Sequence, residues 1–182
     1  MFTGLFKRTR THEVPQQLYG SVVAQSREPV LFTDYGFPDT VTGRFDAVSL
    51  HLFLFSRRLV REDTTLAKSL NQEVFDYFTD DTDRALRELG VGDTSVPKRK
   101  KKMIHTFYAV VEDLSEEIDN KDEEQLLKKL ETRFISSEGE NAAYNHPALA
   151  KYILSVANIL DEIPADQIMK GEIRWPSPSN FL

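Results

Sequence analysis

Between Arg44 and Arg61, apolar residues recur on two sides of one helical stretch. At about 100° per residue, Phe45, Val48, Leu52, Phe55 and Leu59 share one face, while Ala47, Leu50 and Leu54 share the opposite face. A surface helix carries one apolar stripe. Two stripes predict a helix buried over most of its circumference, the centre of an all-α bundle. The second face, Ala47, Leu50 and Leu54, has a further reading as a face left open for a partner. Asp46 near the start and Arg57, Arg58 and Arg61 near the end complement the helix dipole. Gly43 is placed to cap or turn the chain just before it.

The same period predicts the flanking helices. Val14–Arg27 has Leu18, Val22 and Gln25 on one face, with Pro15 in its first turn. Leu31–Tyr35 allows one short turn. Asp63 and Thr64 cap a helix whose stripe runs Ala67, Leu70, Val74, Phe78, Ala85 and Leu89, with a kink expected at Asp80–Asp83 and a stop at Gly90. Pro97 opens a helix to about Asn120, buried through Met103, Phe107, Val110, Leu114 and Ile118. Asp122 caps another, carrying Leu126, Leu127, Leu130 and Phe134 inward. Ser136–Asn145 reads as a loop, His146–Leu160 as the last long helix, and Pro164–Met169 as a short one. No segment alternates with a period of two, and no repeat is present. Irregular multi-helix packing around residues 44–61 follows. Residues 1–13 are expected as a flexible N-terminal segment, 14–170 as one helical domain, and 171–182 as an irregular tail packing Trp175 on the body.

Composition narrows the chemistry. The 182 residues are 40% hydrophobic and 29% charged, with a net charge of −6, which disfavours general nucleic-acid binding. With no cysteine, thiol catalysis and cysteine metal sites are excluded. His12, His51, His105 and His146 form no metal-binding pair on a helical face. No glycine-rich phosphate loop, nucleophile motif or acid–base pair stands out, so neither an enzyme nor a cofactor is expected. A helical haem- or quinone-handling protein using His51 or His105 is the remaining cofactor reading. The N-terminus shows no signal-peptide core, so a cytoplasmic location is expected.

One helix defies the dipole rule. Lys98, Arg99, Lys100, Lys101 and Lys102 fill its first turns, and Glu112, Asp113, Glu116, Glu117 and Asp119 fill its end. Each exposed charge placed this way costs roughly 0.3–1 kcal/mol. Either neighbouring acids such as Asp80–Asp83 neutralise the basic end, or it serves a partner. Lys98, Lys101 and Lys102 point outward with Met103 facing the core, followed by His105 and Tyr108 on the same outer side; Arg99 and Lys100 fall nearer the core edge. Lys98, Arg99, Lys101, Lys102, His105 and Tyr108 are therefore the candidate basic patch, suited to phosphate-rich RNA, an anionic membrane surface or an acidic protein segment.

Four blocks carry a resemblance: LYGSVVAQSREP (Leu18–Pro29), VTGRFDAVSLHLFLFSRRL (Val41–Leu59), EVFDYFTDDTDRALRELGVGDTSVPKRKKKM (Glu73–Met103) and Phe107–Tyr108. In this order and spacing they resemble the ubiquinol–cytochrome c chaperone family over roughly Leu18 to Ile118. The resemblance implies an all-helical, non-enzymatic assembly factor. Such factors hold newly made cytochrome b as it enters the respiratory complex, together with a small partner chaperone near the ribosomal tunnel exit. The run Lys98–Lys102 is more continuously basic than the family pattern, so partner contacts do not transfer position by position.

Overall fold

The helix with two apolar faces sits at the centre. The computed structural model describes residues 5–134 and 144–182, with side chains from residue 13 onward. Eight helices lie among the described residues: α1 (Leu5–Ser26), α2 (Pro29–Thr33), α3 (Val41–Val60), α4 (Thr65–Glu88), α5 (Val96–Asn120), α6 (Glu123–Arg133), α7 (His146–Glu162) and α8 (Ala165–Ile168). A single 3-10 turn, Pro178–Phe181, ends the chain. No strand occurs among these residues. Helix α3 packs against α1, α4, α5 and α7, and α6 bridges α5 and α7.

Both faces of α3 are covered. Leu52, Phe55 and Leu59 are fully enclosed, and so are Ala47, Leu50 and Leu54. The open platform expected on the second face is therefore corrected: four neighbouring helices pack around the middle of α3 and cover that face. The helix also starts earlier than its apolar pattern. Thr40 is its N-cap, with Oγ1 accepting from the Gly43 amide at 3.2 Å. Gly43 lies inside the first turn rather than before it. A Cβ there would lie 2.1 Å from the Pro38 carbonyl oxygen, so glycine is needed for this close approach.

Other boundaries follow local chemistry. Thr64 Oγ1 accepts from the Ala67 amide and Asp122 from the Gln125 amide, closing the first turns of α4 and α6. Gly90, at φ +76°, ends α4 in the left-handed region, and the Val91 amide reaches back to the Leu86 carbonyl. Helix α4 runs unbroken through Asp80–Asp83, where a kink was expected. These acids stay on its outer side: Asp81 accepts from the Tyr19 hydroxyl at 2.9 Å, and Asp83 pairs with Arg87 one turn on. Helix α1 begins at Leu5, nine residues before its apolar stripe. The loop expected at Ser136–Asn145 lies outside the described residues except for Tyr144 and Asn145.

The C-terminal tail is held by buried polar groups. Gln25 Nε2 donates to the Pro176 carbonyl at 2.8 Å, and the Tyr35 hydroxyl donates to the Pro178 carbonyl at 2.8 Å. Trp175 Nε1 donates to Ser21 Oγ, and its ring meets His51 edge-on. At the opposite end of α3, Arg57 and Arg61 both pair with Asp119 of α5 and Asp161 of α7. Arg58 donates to the Leu160 and Ile163 carbonyls at the end of α7. The basic end of α3 thus ties three helices together.

Candidate functional site

The two apolar stripes that meet at the start of α3 and the end of α4 run past their cover. On α4, Ala85 and Leu89 continue the face of Phe78, yet both are exposed, Leu89 by 55%. On α3, Val41 continues the face of Phe45 by one turn and is 51% exposed. The helices diverge here and leave an apolar groove. Tyr19 and Val23 of α1 form one wall. Phe45, Leu86 and Met103 line its floor and opposite side. Beneath it, the rings of Phe45, Phe78, Phe75 and Phe107 pack in a continuous series. Arg27 and Arg44 stand at one end of the groove, and Arg99 and Lys102 at the other.

Asp46 reaches the Arg99 end of the groove. Burial pushes its carboxyl up to about 6, against the smaller opposing effects of a Tyr144 hydrogen bond and the Arg133 charge. The carboxyl therefore takes up its proton about two pH units above the ordinary range, while at neutral pH it still carries most of its charge beside Arg99 and Lys102.

The dipole-defying charges on α5 separate into an explained end and an unexplained one. Asp113 pairs with Arg133, Glu117 with Lys129, and Asp119 with both Arg57 and Arg61. Asp113, Glu117 and Asp119 are therefore paired by α3 and α6, while Glu112 and Glu116 stay exposed to solvent and Glu117 Oε2 is without a partner among the described residues. At the basic end, Lys98, Arg99, Lys101 and Lys102 are exposed, and none has an ion-pair partner among the described residues. The acids Asp80–Asp83 do not neutralise them; only Lys100 lies near enough to help hold the Asp83 carboxyl low, after the larger effect of Arg87.

The six residues of the expected patch divide between two faces. Lys98, Lys101, Lys102 and His105 line a shallow depression beside Arg133 of α6. Arg99 turns instead to the groove, which Lys102 borders as well. Tyr108 falls on the α4 side, its ring against Phe75 and Phe107, and remains 55% exposed. Ala47, Leu50 and Leu54 take no part in either surface.

His51 is not available as a haem ligand in this fold. It is fully buried, with Nδ1 2.7 Å from the Ala47 carbonyl and Nε2 2.7 Å from the Tyr152 hydroxyl. Since the carbonyl only accepts, Nδ1 carries the proton and Nε2 accepts from Tyr152. Gln25 Nε2 then donates to the same hydroxyl at 3.1 Å. Every lone pair on the ring is used. Desolvation lowers its pKa to about 4, which keeps it neutral. Among the described residues, no group of three or more His, Asp or Glu could hold a metal ion, and no helix is long and apolar enough to cross a membrane.

The groove residues escape sequence reading because periodicity places Val41, Ala85 and Leu89 on internal faces without showing where the neighbouring helix stops. Their one signal is position: each lies in the terminal turn or two of its helix, beside a turn or cap.

The described residues thus form an all-helical bundle with an open apolar groove and a cationic face beside it. The chain matches the family model described as ubiquinol-cytochrome C chaperone over residues 33–175, and it belongs to that family. It is also similar to a solved structure, the crystal structure of the Cbp3 homolog from Brucella abortus. The two share 30% sequence identity and a TM-score of 0.84, over 100% of this chain and 99% of the other. No curated protein matches the chain.

Proposed function

We propose that this protein is a non-enzymatic assembly factor that holds newly made cytochrome b while the ubiquinol–cytochrome c reductase complex is built. The observation that carries this reading is the family match, which spans α3 to α8 and so takes in the central helix with α4, α5 and α7 packed on it. The groove supplies a physical means. Val41 and Leu89 offer apolar surface that the fold does not cover, and Phe45, Leu86 and Met103 give it a floor. A client segment with exposed apolar side chains loses that exposure on entering, at about 25 cal/mol per Å² of apolar surface buried.

The test is genetic and spectroscopic. A strain lacking the protein is complemented with the natural chain or with a Val41→Ser/Leu89→Ser double variant. Both positions are exposed, so the variant keeps its thermal midpoint. We expect the empty strain and the double variant to lose b-haem absorbance and assembled complex, and the natural chain to restore both. Normal b-haem spectra and complex levels in the empty strain would overturn the proposal.

A further inference from the structure

The unpaired cations of α5 and the exposed aliphatic residues beside the groove lie on one end of the molecule. Arg99 and Lys102 border the same groove as Val41 and Leu89, and Lys98 and Lys101 extend the positive charge away from it. All four cations are exposed and unpaired, although the chain as a whole carries −6. Several neighbouring charges are engaged: Arg87 takes both Asp83 and Asp93, and Arg133 takes Asp113; Glu88, beside Leu89, is the exposed acid left on this rim.

We propose that this end is a docking face for an anionic lipid bilayer, with Lys98, Arg99, Lys101 and Lys102 on the headgroups and Val41 and Leu89 entering the interface. The inference rests on the chaperone reading and adds to it: docking in this orientation holds the mouth of the groove at the bilayer surface. Stable peripheral binding takes two signals, apolar insertion and a basic cluster, and both are present here side by side. The acidic remainder of the molecule is repelled by the same surface, which fixes the orientation.

Two features favour lipid over RNA. Three of the four cations are lysines, point charges on flexible stems that follow a laterally fluid array of headgroups. The uncovered apolar groups beside them are aliphatic, whereas single-stranded nucleic acid is gripped by stacking on aromatic rings. Among the described residues near the patch, the exposed rings are His105 and Tyr108, and Tyr108 has its ring packed against Phe75 and Phe107.

The experiment is flotation of the purified full chain with two kinds of vesicle. One is phosphatidylcholine with about 30% phosphatidylglycerol, and the other is pure phosphatidylcholine. We expect binding to the anionic vesicles alone, weakened by salt. Lys98→Gln/Lys101→Gln/Lys102→Gln should lower partitioning by about a hundredfold, since each basic residue near an anionic surface contributes about fivefold. Val41→Ser/Leu89→Ser should lower it severalfold. Glu112→Gln/Glu116→Gln, on exposed positions of the same helix, should leave partitioning undiminished and so controls for helix integrity. The proposal is overturned if the natural chain ignores anionic vesicles, or if the triple variant floats as the natural chain does. Retention of the lysines' effect on ribosomal RNA, with no vesicle binding, would also overturn it in favour of RNA. Vesicle binding needs no client, so its failure would leave the assembly role standing, and normal complex levels in the deletion strain would not affect the flotation result.

Discussion

Replacing Asp46 by asparagine should expose an acid sensitivity that the natural chain conceals. Two buried groups have opposite linkage between pH 4 and 6. His51 titrates at about 4 when folded, against an ordinary value of 6.5. As pH falls through this interval, the unfolded chain takes up a proton that the folded one refuses, so stability is lost. At about 1.4 kcal/mol per pH unit, the full interval amounts to about 3 kcal/mol. Asp46 titrates at about 6 when folded, against 3.8 ordinarily. Here the folded chain holds the proton that the unfolded one has released. Its contribution is complete below 3.8 and is lost as pH rises to 6, again by about 3 kcal/mol. Across pH 4 to 6 the two slopes have opposite sign and nearly cancel.

Asparagine is close to a protonated aspartic acid in shape and does not titrate. In Asp46→Asn only the His51 slope remains, and stability should fall by about 2–3 kcal/mol between pH 6 and 4. Urea unfolding followed by circular dichroism at half-unit pH steps reads this directly. The carboxyls of Asp63, Asp83 and Asp166, held low by Lys68, Arg87 and Lys170, lose their contributions at lower pH and do not blur the interval. If the variant's stability is no more acid-sensitive than that of the natural chain, the opposition between the two groups is refuted.

Two further substitutions test the packing. Gly43→Ala should destabilise the fold by about 1–2 kcal/mol although alanine favours helix by about 1 kcal/mol, because the added methyl meets the Pro38 backbone; a raised thermal midpoint would contradict this. Tyr152→Phe should cost about 1–3 kcal/mol by leaving His51 Nε2 and Gln25 Nε2 without their shared hydroxyl, measured by the same urea titration, and an unchanged midpoint would show that the network contributes nothing.

The stripes that build the bundle were legible because each keeps a regular helical period. Phe107, Val110, Leu114 and Ile118 on α5, and Leu149, Ile153, Val156 and Leu160 on α7, are all buried as the spacing predicts. What spacing does not contain is the presence or absence of a neighbour. Leu50 and Leu89 look alike in sequence, each on a regular apolar face. One is enclosed and the other is open, because α3 is surrounded along its middle whereas α4 outlasts its companions. The charge order of α5 was legible as an anomaly, but only the partners supplied by α3 and α6 separate its satisfied acids from its unsatisfied lysines. Gly43 misled for a related reason. A glycine beside a helix start suggests a boundary, while here it marks where two backbones touch.

The hold on the C-terminal tail has a consequence for how this chain diversifies. Gln25 and Tyr35 grasp carbonyl oxygens of Pro176 and Pro178, atoms that every amino acid possesses. Substituting a tail residue does not delete either acceptor. Recognition is written in the body of the protein, and the tail supplies only a path, so a related chain can follow the same path with different letters. The family match ends at residue 175, one position before the first of these grips. A comparison of sequences therefore loses the tail where its shape is still specified, and Gln25 and Tyr35 are the residues by which that shape can be traced.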